Sequence, residues 1–399
     1  MSKTRFYILV LAVAVAGVSQ GLTLPLLSIM IEKAGYPSSV NGWNATALYI
    51  GMFVTSFFVE KPLRRFGYKP FLLFGIMVVF LASLLIPLWH HLTWWFILRF
   101  MIGVGDSALH YASQLWITSS SSPRERGRHI SLYGLAYGTG FMLGPLGVNL
   151  WFVHAYLPFI VVCLLYLIAF LFVMKLENQY PEQREQKGNQ KSLPKVIVLG
   201  WYALIPAFLY GYLEAVLNGS FPVYALRTGI GENWVSVTLF AFSAGGILTQ
   251  LPLGMLSDRI GRKKVLMGTG IIGAIAFSLV PMVGTQVWLV ITLLALAGSV
   301  VGSFFSLGLA FLADTLPRHL LPSGNVVAAM LFSIGSMAGP SLTGMGIEFI
   351  HPNSLFYSLA AVFAAFFLLG LRRQKLVDHT GSRIIRRDED YDHTGERSS

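Results

Sequence analysis

Apolar residues along this chain gather into runs of about 20, the length an α-helix needs to cross the hydrocarbon of a bilayer. The runs recur from Phe6 to Leu371, with no polar stretch of domain size between them. Twelve can be drawn: 6–31, 42–59, 70–88, 92–119, 129–152, 154–174, 196–225, 233–256, 265–283, 286–313, 322–347 and 353–371. The expected fold class is therefore an all-α membrane protein with twelve transmembrane helices. The first run has no small-x-small cleavage site ahead of a soluble segment, so it reads as an uncleaved first helix.

Composition agrees. Of 399 residues, 55% are hydrophobic and 12% charged, and the mean hydropathy is +0.65; a soluble domain carries about twice that charge. The net charge of +11 could point to nucleic acid, but its distribution points elsewhere. With the N-terminus in the cytoplasm, 26 of the 29 Lys and Arg fall on the inner side, Lys33 and Arg227 on the outer side, and Arg99 inside a run. That asymmetry is the positive-inside pattern of a multi-pass protein with both termini cytoplasmic, in a plasma or inner membrane. It leaves no role for nucleic acid. Trp43, Trp89, Trp94, Trp95, Trp151, Trp234 and Trp288 fall at expected outer ends, where aromatic rings favour the headgroup level. The lone Cys163 allows no internal disulfide and reads as packing.

A charged stretch from Lys175 to Lys195, which includes Arg184, Lys187 and Lys191, separates six runs from six. The expected units are a bundle over 1–174, a cytoplasmic linker over 175–195, a second bundle over 196–371 and a disordered cytoplasmic tail over 372–399. The tail holds Asp-His-Thr-Gly twice, at 378–381 and 392–395, which chance explains in so polar a segment. The halves echo each other. Phe66-Gly67 corresponds to Ile260-Gly261 and Pro123-Arg124 to Pro317-Arg318, both at an offset of 194; Gly144-Pro145 corresponds to Gly339-Pro340 at 195. A duplicated six-helix unit, and so two pseudo-symmetric bundles, is expected.

The strongest local motif is Gly254-Met-Leu-Ser-Asp258-Arg259-Ile-Gly261-Arg262-Lys263-Lys264. It resembles motif A of the major facilitator superfamily, and it lies between the eighth and ninth runs, where that family carries its second copy. The resemblance extends over nearly all of 6–371. It implies the major facilitator fold and a cytoplasmic latch between the halves at Gly254, Asp258, Arg259, Gly261 and Arg262. The first copy, Glu60 to Lys69, has Glu60 and Arg64 where the motif has Gly and Asp. Either the acid role is lost there or Glu60 replaces it one turn earlier. Gly144-Pro145 in run 5, followed by Gly147, partly matches motif C, which implies the drug:proton antiporter-like branch. Gly339-Pro340 repeats it in run 11, and both pairs are expected at packed helix kinks.

Run 4 carries Arg99-x-x-x-Gly103-x-Gly105, similar to motif B. Asp106, His110 and Gln114 follow Arg99 at intervals that place all four on one helical face. A polar stripe in an apolar helix must face protein or water, and it marks a candidate pathway for protons or substrate. The alternative is a structural ion pair between Arg99 and Asp106 beside a satisfied His110. Run 7 adds Glu214 and Asn218, one turn apart, with Tyr210 on the same face. Gln20 in run 1 could line the cavity or form one interhelical hydrogen bond.

The expected function is secondary active transport by alternating access, as proton-coupled efflux of a small amphipathic compound by a monomer. The alternatives are uptake of a sugar-like nutrient, lipid translocation, and a signalling or scaffold protein that kept the fold. No Walker loop, nucleophile elbow or metal-ligand cluster appears in the sequence, so no enzyme, metal or cofactor is expected.

Overall fold

The computed structural model describes residues 2–122, 124–181 and 193–372. Pro123, the linker residues 182–192 with Arg184, Lys187 and Lys191, and the tail from 373 with its two tetrapeptides lie outside the described residues.

Twelve principal helices follow one another in these segments. The first half holds α1 (Lys3–Lys33), α2 (Ser38–Phe58), α3 (Tyr68–Leu85), α4 (Leu92–Ser120), α5 (Arg126–Leu143) and α6 (Leu157–Met174). The second holds α7 (Leu193–Gly219), α8 (Glu232–Ile260), α9 (Arg262–Leu279), α10 (Val287–Thr315), α11 (Leu321–Phe349) and α12 (Ser354–Arg372). Ten of these are long and apolar enough to cross a bilayer, and α2 with the short helix Glu60–Phe66, bent by 60°, makes an eleventh. The remaining helix is α5. Arg126, Arg128 and His129 open it, and Gly134, Gly138 and Gly140 dilute its apolar surface. It continues as a 3-10 stretch, Gly144–Asn149, and a last turn, Leu150–Val153.

The duplication is visible in the backbone. Gly67 and Gly261 end corresponding helices with φ of 85° and 97°, a region that only glycine enters at little cost. Helices α3 and α9 both close in a 3-10 turn built around proline, Pro87 and Pro281, at the same offset of 194. Close helix approaches repeat as well. A side chain on Gly17 would strike the Tyr137 carbonyl, and one on Gly211 would strike that of Phe332. Gly140 against Ala14 repeats as Gly335 against Phe208. The expected pair of kinks is less symmetric. The first half breaks into a 3-10 stretch at Gly144-Pro145, whereas α11 carries Pro340 inside a continuous helix. Both pairs are packing sites: Gly144 meets Val18 and Gly21, and Gly339 meets Tyr212 and Val216.

The two halves join at the tryptophan-rich end. There Lys33 pairs with Glu232 at 2.6 Å, and Arg227 with Glu32 at 2.6 Å. Ser39 N donates to Glu348 Oε2 at 2.9 Å, and Ser236 Oγ to Asn149 Oδ1 at 3.0 Å. Gly42 of α2 seats against the Pro340 carbonyl of α11. Toward the basic end these helices have open surface. Helix α2 is buried over most of Ser38–Gly51 but exposes Val54, Phe57 and Phe58, and neither Gly134 nor Gly254 has a neighbour within 4 Å of where a Cβ would sit.

Candidate functional site

Four of the sequence-derived residues sit on α4, but they divide into separate environments. Arg99 is 1% exposed; its Nη1 donates to Asn44 Oδ1 at 2.9 Å and its Nη2 to the Leu24 carbonyl at 3.0 Å. It pins α4 to α1 and α2. The ion pair with Asp106 is not formed, because seven residues of helix separate them by about 10 Å along the axis. Asp106, fully buried, instead accepts from Gln20 Nε2 at 2.9 Å and from the Tyr166 hydroxyl at 3.3 Å. A carboxyl so deep in an apolar bundle persists only with such partners.

One turn on, His110 Nδ1 lies 2.8 Å from the Tyr133 hydroxyl, and its Nε2 is buried with no partner. The imidazole also meets the Tyr137 ring edge-on at 4.8 Å. Gln114 completes the stripe in sequence only: it is exposed, and the network stops before it. The Tyr137 hydroxyl donates to Gln20 Oε1 at 2.7 Å. A continuous chain thus runs Tyr166, Asp106, Gln20, Tyr137, joining α6, α4, α1 and α5.

The second half brings Glu214 to this chain. Half-buried on α7, its carboxyl lies within electrostatic reach of the hydroxyls of Tyr49, Tyr137 and Tyr210. Among the described residues no hydrogen bond or ion pair engages that carboxyl. Asn218 turns away and donates to the backbone carbonyl of Glu214 at 2.8 Å. Tyr210 packs with Phe305 and Phe332, at centroid distances of 6.0 and 6.2 Å, as an aromatic wall beside the acid.

The loop after α8 is tied within its own half. Arg262 reaches Asp258 at 3.2 Å and Asp314 of α10 at 3.1 Å, and Asp258 is 66% exposed. A link from this loop to the first half, expected of a latch, is not made by the Asp258–Arg262 pair in this arrangement. The corresponding first-half loop holds Glu60 against Arg64 at 2.6 Å, again a local pair.

Sequence reasoning found Asp106, His110 and Glu214. It weighed Gln20 as an isolated amide and missed Tyr49, Tyr133, Tyr137 and Tyr166. The four-residue spacing of Tyr133 and Tyr137 was the available signal. Tyr49 and Tyr166 stand alone in apolar helices and gave none. Among the described residues no group of three His, Cys, Asp or Glu is placed to hold a metal.

Comparison with known proteins agrees with this architecture. The Major Facilitator Superfamily profile matches residues 9–240 and 203–389. An uncharacterized MFS-type transporter, YfkF of Bacillus subtilis, is 42% identical over 373 residues, covering 92% of this chain and 95% of its own. YcaD of Salmonella arizonae, likewise an uncharacterized MFS-type transporter, is 25% identical and covers 87% and 90%. The crystal structure of the nucleoside transporter NupG superposes with a TM-score of 0.75 at 12% identity, over 93% of this chain and 99% of that one. The chain belongs to the major facilitator superfamily and is a multi-pass membrane transporter.

Proposed function

We propose that this transporter exports a small amphipathic compound in exchange for protons, with Asp106 and Glu214 as the proton-binding groups. One observation carries the reading. The two carboxyls stand in different halves, and a pair of hydrogen bonds leads from Asp106 through Gln20 to Tyr137, whose hydroxyl is within electrostatic reach of Glu214. A site shared by two bundles is what rocking of one against the other can open alternately to each side. Glu214 beside Tyr210, Phe305 and Phe332 offers an aromatic surface with one acid, which suits an amphipathic cargo.

In this reading the basic end faces the cytoplasm, the chain works as a monomer, and the present arrangement is the inward-facing one. The bundles span 1–174 and 196–371, with the linker 175–195 and the tail 372–399 cytoplasmic. The loop from Gly254 to Arg262 latches the halves when the basic end closes. Arg99 holds the frame, and His110 and Asn218 line the pathway near the two acids.

Uptake of a polar nutrient is the second reading. NupG transports nucleosides, but a likeness at 12% identity conveys the fold alone, and the small number of Asn and Gln in the middle of the spans favours export. The deciding experiment is transport in proteoliposomes under an imposed pH gradient, on substrates chosen by thermal-shift screening of purified protein. Asp106→Asn and Glu214→Gln should each abolish gradient-driven flux while keeping ligand-induced stabilisation. Unchanged gradient-driven flux in both variants sinks the coupling; flux toward the cytoplasmic side in whole cells sinks the direction.

A further inference from the structure

The duplication puts Gln20 and Glu214 at equivalent positions. They are 194 residues apart, as are Gly17 and Gly211 three residues before them, and those glycines seat against corresponding carbonyls, of Tyr137 and Phe332. The halves have diverged around this pair. Where the first half has Asp106 and Tyr137, the second has Val300 and Phe332. Among the described residues the hydrogen-bonded chain is found in the first half, and the acid of the second half lies within electrostatic reach of the Tyr137 hydroxyl at its end.

We propose that Gln20 is a positioning residue that converts the protonation state of Asp106 into the direction of the Tyr137 hydroxyl. This rests on the reading that Asp106 exchanges a proton. A carboxylate only accepts, so when Asp106 is ionised the amide must turn its NH2 toward it and its carbonyl toward Tyr137. That is the observed order: Gln20 Nε2 donates to Asp106 Oδ2, and the Tyr137 hydroxyl donates to Gln20 Oε1. When Asp106 takes up a proton on Oδ2, its new O–H becomes a donor. The amide then rotates half a turn about its Cγ–Cδ bond. Its carbonyl now accepts from Asp106, and its NH2 donates to the Tyr137 oxygen. The Tyr137 proton is released from Gln20 and turns away from it. No proton passes through the amide: the added one stays on Asp106, and the phenolic one stays on Tyr137.

The surroundings leave this pair as the mobile element. On α4, Arg99 is committed to Asn44 and Leu24, and His110 to Tyr133 of α5. From α6, Tyr166 donates to the other oxygen of Asp106, Oδ1. Tyr49 of α2 and Tyr210 of α7 lie within electrostatic reach of Glu214. An amide that flips between two hydrogen-bonded orders breaks no net bond in either, so the switch costs little beyond rotation.

The test is infrared difference spectroscopy of the purified full-length protein in lipid nanodiscs, titrated with acid in the absence of substrate. The wild type should show a carboxyl band that Asp106→Asn removes, accompanied by a tyrosine C–O band that Tyr137→Phe removes. In Gln20→Leu the carboxyl band should remain and the tyrosine response should be lost. Gln20→Met, closer in shape, repeats the measurement should the leucine variant fold poorly. A tyrosine response that persists without the amide overturns the proposal, as does a wild type in which the Asp106 band appears alone. In both those outcomes the transport reading stands. If no Asp106-dependent carboxyl band appears, the transport reading falls with it.

Discussion

The Nε of Arg227 lies 2.6 Å from Oε1 of Glu32, and this pair ties the segment after α7 to the end of α1. Its neighbour, Lys33 to Glu232, does the same between α1 and α8. Arg227 and Lys33 are the two basic residues that the charge pattern assigned to the outer side, and both are spent on joining the halves there. Each pair is partly shielded, with Glu32 12% exposed at its side chain. Glu32→Gln and Arg227→Gln should each loosen this end, with a coupling in the double-mutant cycle of about 0.5–1 kcal/mol. The charge exchange Glu32→Arg with Arg227→Glu should recover it. Labelling by an impermeant maleimide of a cysteine placed at Ser236, in a Cys163→Ala background, reports the opening. Equal labelling in all variants would show that the pairs do not hold the end shut.

Backbone contact holds the same end more firmly. A Cβ on Gly42 would strike the Pro340 carbonyl, and one on Gly344 would strike that of Ser38. Gly42→Val should therefore penalise the present arrangement by about 1–3 kcal/mol, the cost typical of overpacking. The clash lies between α2 and α11, outside the packing within each half, so the fold should survive and the balance shift toward an arrangement open at the tryptophan-rich end. The Ser236 label should react faster in Gly42→Val and not in Gly134→Ala, whose added methyl meets nothing within 4 Å. Similar rates in the two variants would count against closure by this contact.

These contacts show which parts of the molecule the sequence could reveal. The succession of apolar helices and the duplication rest on hydropathy and glycine spacing, and both were legible, though ten or eleven of the twelve expected spans are long and apolar enough to cross a bilayer. Helix α5 was the weakest span because one face must carry Tyr133, Tyr137 and several glycines for packing, which lowers its apolarity. The polar stripe on α4 singled out Asp106, which the structure buries in a hydrogen-bonded cluster. Spacing alone could not say that Arg99 and Asp106 would take partners from different helices, since Asn44, Gln20 and Tyr166 lie 55, 86 and 60 residues away from them. Tyrosines escaped notice because a buried ring reads as core until the partner of its hydroxyl is known.

Arg99 should behave as a structural residue, unlike Asp106. Its guanidinium spans two acceptors on two helices, a geometry that an ammonium does not reproduce. Arg99→Ala strands Asn44 and the Leu24 carbonyl, each at a cost of about 1–3 kcal/mol for a buried acceptor left without a donor. Arg99→Lys should recover only part of it. Unfolding in mixed micelles, followed by tryptophan fluorescence, measures the loss. An Arg99→Ala protein as stable as Asp106→Asn would contradict the assignment.

The last prediction concerns the segment just after α6. Asn178 Oδ1 accepts from Lys69 N at 3.1 Å, and its Nδ2 donates to the Phe66 carbonyl at 3.0 Å, bracketing the turn at Gly67. The Gln179 carbonyl accepts from Tyr68 N at 2.8 Å. Gln179 Oε1 receives both Arg5 Nη1, at 2.8 Å, and the buried Trp116 Nε1, at 3.0 Å. Two consecutive residues thus clasp α1, α3 and α4 at the basic end, where the first-half loop has lost the Gly and Asp of its counterpart. Gln179→Ala leaves the indole N–H of Trp116 buried without an acceptor, which should cost about 1–3 kcal/mol. Gln179→Glu keeps the acceptor and adds a charge opposite Arg5, so it should restore stability. Asn178→Ala should cost less, because the groups it frees lie at an exposed turn that water reaches. Thermal unfolding of the three variants ranks them. If Gln179→Ala proves no worse than Asn178→Ala, the clasp is only a surface contact and the first-half loop must be held by its Glu60–Arg64 pair.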